Sequence, residues 1–413
     1  MNRSVRFSNT PAPEGAMPHP RPFVSTCLVS ALALAGSAAC GGGGGDGGDA
    51  PEVDAGLQNP ARDSYDTWEK VEIPGTVCGN GSQYKFFVKY SDRTDNLVVV
   101  FEPGGACWDY ESCSGAAGVR GAANPDGIPD RHYELAPFIS PFLQREDPTS
   151  PTADWNMVYV PYCTGDVHTG NNVITYTDPA GVAPDLVFHH KGHDNVQKVI
   201  EWIDGNFTHV PKMLATGCSA GGAGAITNYH FLRKGVRAAQ QGYLLDDSGP
   251  IFPSGGYSQP LHEKIRSSWN VDSILSDLPD GFDMEDFGTI NTALADEFPD
   301  DRLATTFFRR DYNFSLYSYE RFYTPTPDKP EIMRMWEADT QLLVQLYGSR
   351  QNLGYYIPYW RDLNDSHCTT VINFVSSEIE AQGLDLGSWV ADLLDDSKPL
   401  HSAIEAPVPG EDE

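Results

Sequence analysis

Ser219 stands in Gly217-Cys218-Ser219-Ala220-Gly221, a Gly-x-Ser-x-Gly spacing that puts a serine hydroxyl on a sharp turn between a strand and a helix. The flanking glycines relieve strain in that turn and let neighbouring backbone approach closely. An apolar run at 212–216 precedes the motif, and Ala220-Gly221-Gly222-Ala223-Gly224-Ala225 follow it, so the strand and a closely packed helix are both supplied. Such a serine becomes a nucleophile only when a base takes its proton, and the base needs a carboxylate to fix its tautomer.

On this turn the chain order is serine, acid, histidine, so the base must follow Ser219. His230 falls in the nucleophile's own helix, His262 in a region expected to cap the pocket, and His401 in a polar tail. His367, in a loop past the final expected strand, is therefore the candidate base. The candidate acids are Asp246 and Asp247 at one strand end, Asp311 at the next, and Asp339 in a helical pattern. The usual place of the acid, after the second of these strands, favours Asp311, with Asp247 and Asp339 as alternatives. An oxyanion needs amide donors, for which Ala220 and the loop at 101–107, with Gly104 and Gly105, are the candidates.

These residues need an α/β sheet to hold them. Apolar runs at 84–90 and 97–101, separated by an Asp95-Asn96 turn, read as a hairpin at one sheet edge; 157–160 reads as a further strand. Val196, Val199, Ile200 and Ile203 recur at helical spacing over 193–203, and the helix after Ser219 continues to Lys234. Runs at 242–245, 303–308 and 354–360 complete the strands, and 331–347 is helical by pattern. The fold class expected is an α/β-hydrolase-like, mostly parallel sheet flanked by helices. A cap-like insertion at about 261–300 and one catalytic domain over 61–408 are expected with it.

The chain has 413 residues and a net charge of -29, which repels nucleic acid and anionic lipid headgroups. A polyanionic substrate would need a local basic patch, for which Arg309 and Arg310 are candidates by where they fall. Residues 1–39 read as a targeting segment, with Met17 as the true start and an apolar run at 23–35 too short to span a bilayer. Gly36-Ser37-Ala38-Ala39 before Cys40 resembles a bacterial lipoprotein signal, although Ser37 stands where Leu is usual; lipidation of Cys40 would anchor the protein to a membrane. Ordinary cleaved secretion is the alternative, and 40–60 reads as a Gly/Asp-rich tether in both cases. The six cysteines that remain, Cys78, Cys107, Cys113, Cys163, Cys218 and Cys368, suit disulfides in an exported chain, with Cys107 and Cys113 the easiest local pair. No spacing suggests zinc.

Several blocks together resemble the pectin acetylesterase/Notum family of serine carboxylesterases. Phe101-Glu102-Pro103-Gly104-Gly105-Ala106-Cys107-Trp108 is similar to the family's oxyanion block, with Pro103 and Ala106 in place of commoner residues. The segment 156–168, ending Pro161-Tyr162-Cys163-Thr164-Gly165-Asp166-Val167-His168, resembles its Pro-Tyr-Cys block, which implies that Asp166 and His168 belong to a loop near the pocket mouth and need not be catalytic or metal-binding. Gly217–Gly222, Asp247-Ser248-Gly249 and His367-Cys368 resemble further blocks. Asp311 falls at the family's acid, although the family's glutamine a few residues on is missing. The resemblance implies a cofactor-free, metal-free, two-step acyl transfer through Ser219, His367 and Asp311, with the oxyanion on the amides of Gly104, Gly105 and Ala220. The expected substrate is an acylated carbohydrate or small ester, and the expected protein an exported monomer with no nucleic-acid partner.

Overall fold

A computed structural model describes residues 58–116, 121–371, 373–375 and 377–407. The expected leader, Cys40 and nearly all of the tether lie outside them.

The main sheet has nine strands in the order β1-β2-β4-β3-β7-β8-β9-β10-β11. In chain order these are β1 (Trp68–Val77), β2 (Gln83–Lys89), β3 (Leu97–Phe101), β4 (Asn156–Val160), β7 (Val210–Cys218), β8 (Ala239–Asp247), β9 (Arg302–Thr306), β10 (Leu353–Ile357) and β11 (Ala403–Ile404). From β4 to β11 every neighbouring pair is parallel, while β1 and β2 close one edge antiparallel. A separate antiparallel pair joins β5 (Asn172–Tyr176) to β6 (Leu186–His190). The helices of eight or more residues are α1 (Gly192–Asn206), α2 (Ala220–Gly235), α3 (Gln259–Trp269), α4 (Ile290–Glu297), α5 (Tyr312–Tyr319), α6 (Lys329–Tyr347) and α7 (Leu386–Leu393).

The expected hairpin of 84–90 with 97–101 does not form, because β4 lies between β2 and β3. The reason is visible in the residues. β3, Leu-Val-Val-Val-Phe, is buried at all of its positions, as a central parallel strand covered on both faces is, whereas β2 keeps partly exposed positions as part of the antiparallel edge. β3 thus sits between β4 and β7, paired in register with Phe101 beside Gly217. Chain direction across the sheet reverses at β3, and the crevice beyond the carboxyl ends at such a switch point is where open α/β sheets place ligands.

Helix α1 buries Val196, Val199, Ile200 and Ile203, the stripe read from the sequence. Helix α2 starts directly against the sheet: a Cβ on Gly221 would collide with the carbonyl oxygen of Phe101. Between β8 and β9 the chain makes α3, α4 and intervening turns, and Trp269, Val271, Leu275 and Phe287 from this stretch form a small core of their own with Ala106 and Trp108. Disulfides join Cys78 to Cys163, Cys107 to Cys113 and Cys218 to Cys368.

Candidate active site

Ser219 follows the last residue of β7 and precedes the first residue of α2, with φ 56° and ψ -120°. A non-glycine residue in this region is strained and persists only when its surroundings over-determine it. Here the Ser219 amide donates to the Asp247 carbonyl at 2.8 Å, and the Ser219 carbonyl accepts from the Ala223 amide at 3.0 Å. The strained residue is thereby fixed from the neighbouring strand and from its own helix.

His367 Nδ1 lies 2.8 Å from Asp311 Oδ2. The other carboxylate oxygen of Asp311 accepts the Phe314 amide at 2.9 Å, capping α5. Asp311 is fully buried and His367 nearly so. A carboxylate at Nδ1 makes that nitrogen the protonated one and leaves Nε2 with its lone pair. Burial pulls the His367 pKa down, but the charge of Asp311 and its hydrogen bond outweigh this and hold it above the usual 6.5. A ring nitrogen of His367 lies within 4.8 Å of the sulfur of Cys218, the residue before Ser219.

The rival acids are engaged elsewhere. Asp339 accepts the amides of Tyr257 at 2.6 Å and Ser258 at 2.9 Å and the Tyr319 hydroxyl at 2.9 Å, which ties the start of the β8–β9 insertion to α6. Asp246 accepts the Gly249 amide at 3.1 Å, and burial, with the charge of Asp247, pushes its pKa up to about 8. Asp247 accepts from the backbone and hydroxyls of Thr369 and Thr370, just past His367. Among the other histidines, His230 faces Glu297 at 2.7 Å and His401 is exposed. His262 is buried against Phe287; burial takes its pKa down to about 4, and its Nδ1 meets no hydrogen-bond partner among the described residues. It therefore lacks an orienting carboxylate.

The loop after β3 is held from behind by Glu102, whose carboxylate accepts the Tyr162 amide at 2.6 Å and Asn124 Nδ2 at 2.9 Å and meets His132 Nε2 at 2.6 Å. Nothing in the spacing of these residues announces that buried network. Gly104 has φ +153°, and a Cβ there would press on Ala123 and Tyr162. Gly105 has φ 80°. Gly105, Ala106, Ser219 and Ala220 line one cavity of about 70 Å³, whose remaining wall is mostly apolar: Trp108, Val167, Ile251, Leu261, Ile265, Trp269, Phe314 and Tyr317, with His262. Asp166 and His168 do not reach the mouth of this cavity. Both are buried, Asp166 on the Gly192 amide at 2.8 Å and His168 Nε2 on the Glu102 carbonyl at 2.9 Å, while Val167 between them faces the cavity. Arg309 pairs with Glu337 and the Glu405 carbonyl, so it is no open anion site.

A family model described as pectinacetylesterase matches residues 65–279, just over half of the 413. The chain belongs to this pectinacetylesterase family. Within this family member the matched stretch holds Ser219 and the Gly104-Gly105 loop, while Asp311 and His367 lie beyond it. It is 26% identical over 211 residues to pectin acetylesterase 7 of Arabidopsis thaliana, covering 46% of this chain and 48% of that one. It is 27% identical over 156 residues to the palmitoleoyl-protein carboxylesterase notum1 of Xenopus laevis, covering 37% and 29%. The chain thus spans about half or less of the length of these curated relatives. In fold it is similar to the Wnt deacylase Notum from Drosophila, with a TM-score of 0.53 at 16% identity over 83% of this chain and 97% of that one.

Proposed function

We propose that the protein is a serine carboxylesterase that removes short acyl groups, acetyl foremost, from a carbohydrate ester. The observation that carries the reading is the His367–Asp311 pair at 2.8 Å, on a loop whose next residue is bridged to the one before Ser219. In the mechanism we infer, His367 Nε2 takes the Ser219 proton as Oγ attacks the ester carbonyl. The amides of Gly104, Gly105 and Ala220 hold the oxyanion, and His367 returns the proton to the leaving alcohol. Water activated by the same nitrogen then releases the acid and frees Ser219. Asp311 keeps the proton on Nδ1 and offsets the charge that His367 gains.

The cavity bears on the acyl group. Ser219 and Ala220 stand in a wall that is otherwise mostly apolar. Such a wall beside the nucleophile suits the methyl or alkyl end of an acyl group. The apolar wall also favours a second reading, a lipase or polyester depolymerase for short-chain esters. An inactive surface-binding protein is the reading from outside enzymology. Three disulfides favour an oxidising compartment, and we place the protein outside the cytoplasm, tethered through Cys40 if that residue is lipidated. Among the described residues no helix is long and apolar enough to cross a membrane.

The test compares wild type and Ser219→Ala on aryl esters from acetate to palmitate and on acetylated polysaccharides. The proposal expects acetate release from a polysaccharide, a rate that falls as the acyl chain lengthens from acetate to palmitate, and a loss of roughly a thousandfold or more in the variant. Undiminished hydrolysis by Ser219→Ala sinks the mechanism; aryl-ester turnover without acetate release from any polysaccharide moves the assignment to the second reading. Failure of the wild type to take a fluorophosphonate label at Ser219 supports the binding protein.

A further inference from the structure

The residue before the proposed nucleophile and the residue after the proposed base are both cysteines, and they are bonded to each other. Cys218 precedes Ser219, Cys368 follows His367, and the bridge spans 150 residues of chain with its Cα atoms 5.6 Å apart. A second tie runs beside it. The Asp247 carbonyl accepts the Ser219 amide at 2.8 Å, while its carboxylate accepts the amides of Thr369 at 2.9 Å and Thr370 at 2.7 Å and both their hydroxyls, at 3.1 and 2.7 Å. Ser248 Oγ donates to the same carboxylate at 2.9 Å and accepts the Cys368 amide at 3.1 Å. One residue at the end of β8 therefore holds the serine turn through its backbone and the histidine loop through its side chain.

The histidine loop needs such ties. Asn364, Asp365, Ser366 and Cys368 all have φ between 51° and 66°, a region that costs serine and cysteine free energy and that no helix or strand imposes here. Left to itself the segment would relax to other conformations, and His367 would move with it.

We infer that the Cys218–Cys368 disulfide and the Asp247 carboxylate act together as a positioning clasp that holds His367 in reach of Ser219, so that the chain with its clasp open is folded but slow. This rests on the reading of Ser219 and His367 as nucleophile and base. None of the clasp residues touches substrate; they act through the position of the imidazole. A misplacement of the order of 1 Å at a reacting group costs about a hundredfold in rate, which sets the scale expected. Activity would then follow the redox state of this one bridge, rising roughly ten- to a hundredfold once the chain has been oxidised.

The experiment compares three variants of the full chain under non-reducing conditions: Cys218→Ala/Cys368→Ala, Cys78→Ala/Cys163→Ala and Thr370→Val. Each is assayed for kcat and KM on an aryl acetate and for its thermal midpoint. The clasp predicts that the first pair loses roughly ten- to a hundredfold in kcat with KM within twofold, that Thr370→Val loses a smaller part of kcat with KM again held, and that removing the Cys78–Cys163 bridge lowers the midpoint while kcat stays within threefold. A first pair that keeps wild-type kcat, or equal kcat losses for both cysteine pairs, overturns the inference. Should the first pair fail to fold, Thr370→Val decides it, since unchanged kcat there overturns the carboxylate tie. Full activity in Ser219→Ala would instead refute the underlying reading, whatever the clasp variants do.

Discussion

At the scale of single residues, the site turns on which partner each aspartate finds. Asp247, Asp311 and Asp339 are all buried carboxylates that accept several hydrogen bonds, and only Asp311 meets an imidazole nitrogen. Because Asp311 raises the His367 pKa above 6.5 and the base must be neutral to work, kcat/KM should rise with pH through a value above 6.5. Asp311→Asn removes the raising influence and leaves the lowering effect of burial, so the acid limb should move to lower pH while kcat falls by about 10²- to 10⁴-fold. A pH–rate profile of the two proteins checks this; an unmoved limb counts against Asp311. The sequence narrowed the acid to a few aspartates by their places at strand and helix ends. It favoured Asp311 by its place after the second strand, but the partner that distinguishes it sits 56 residues away in the chain.

At the scale of elements, the arrangement depends on how closely α2 approaches β3. The Gly221 Cα lies against the Phe101 carbonyl, and this contact keeps the serine turn beside the loop that carries Gly104 and Gly105. Gly221→Ala must push the two apart, with a cost of about 1–3 kcal/mol for the overpacking. The expected outcome is a lower thermal midpoint together with at least a tenfold fall in kcat, read by calorimetry and an aryl acetate assay; a variant as active and as stable as wild type would refute the close packing. The small residues after Ser219 made this approach legible in advance. The hairpin expectation failed because proximity in sequence was taken for pairing, whereas the wholly apolar β3 belongs to the parallel part of the sheet and β4 lies between it and β2. The Cys218–Cys368 bridge was not read from the sequence, because six cysteines leave fifteen connectivities open and its two ends lie 150 residues apart.

At the scale of the whole molecule, burial sets how stability responds to pH. Asp246 has its pKa raised from 3.8 to about 8, first by burial and then by the charge of Asp247, so it is neutral in the folded protein and ionised in the unfolded chain above about pH 4. Its contribution to stability therefore falls as pH rises toward 8. Raised in the same direction, His367 favours folding below 6.5 and loses that contribution as pH rises through its folded value. Between pH 6.5 and 8, Asp246 alone accounts for about 2 kcal/mol. Asp246→Asn, which is neutral throughout, should flatten the decline of the thermal midpoint over this interval while matching wild type near pH 6. An equally steep decline in the variant would show that Asp246 is already ionised in the fold.

The residues by themselves determined the serine turn, the family, the α/β class and the glycine loop, offered Cys107–Cys113 as the easiest local pair and made His367 the candidate base, because each depends on spacing within a short stretch of chain or on chain order. Only the tertiary structure decided that Asp311 faces His367, that Asp247 holds the histidine loop, that Glu102 and His132 back the glycine loop, and that Cys218 joins Cys368. Those facts are contacts between strand ends and loops far apart in sequence, brought together when β3, β7, β8 and β9 align in one sheet, and no local preference of the chain encodes them.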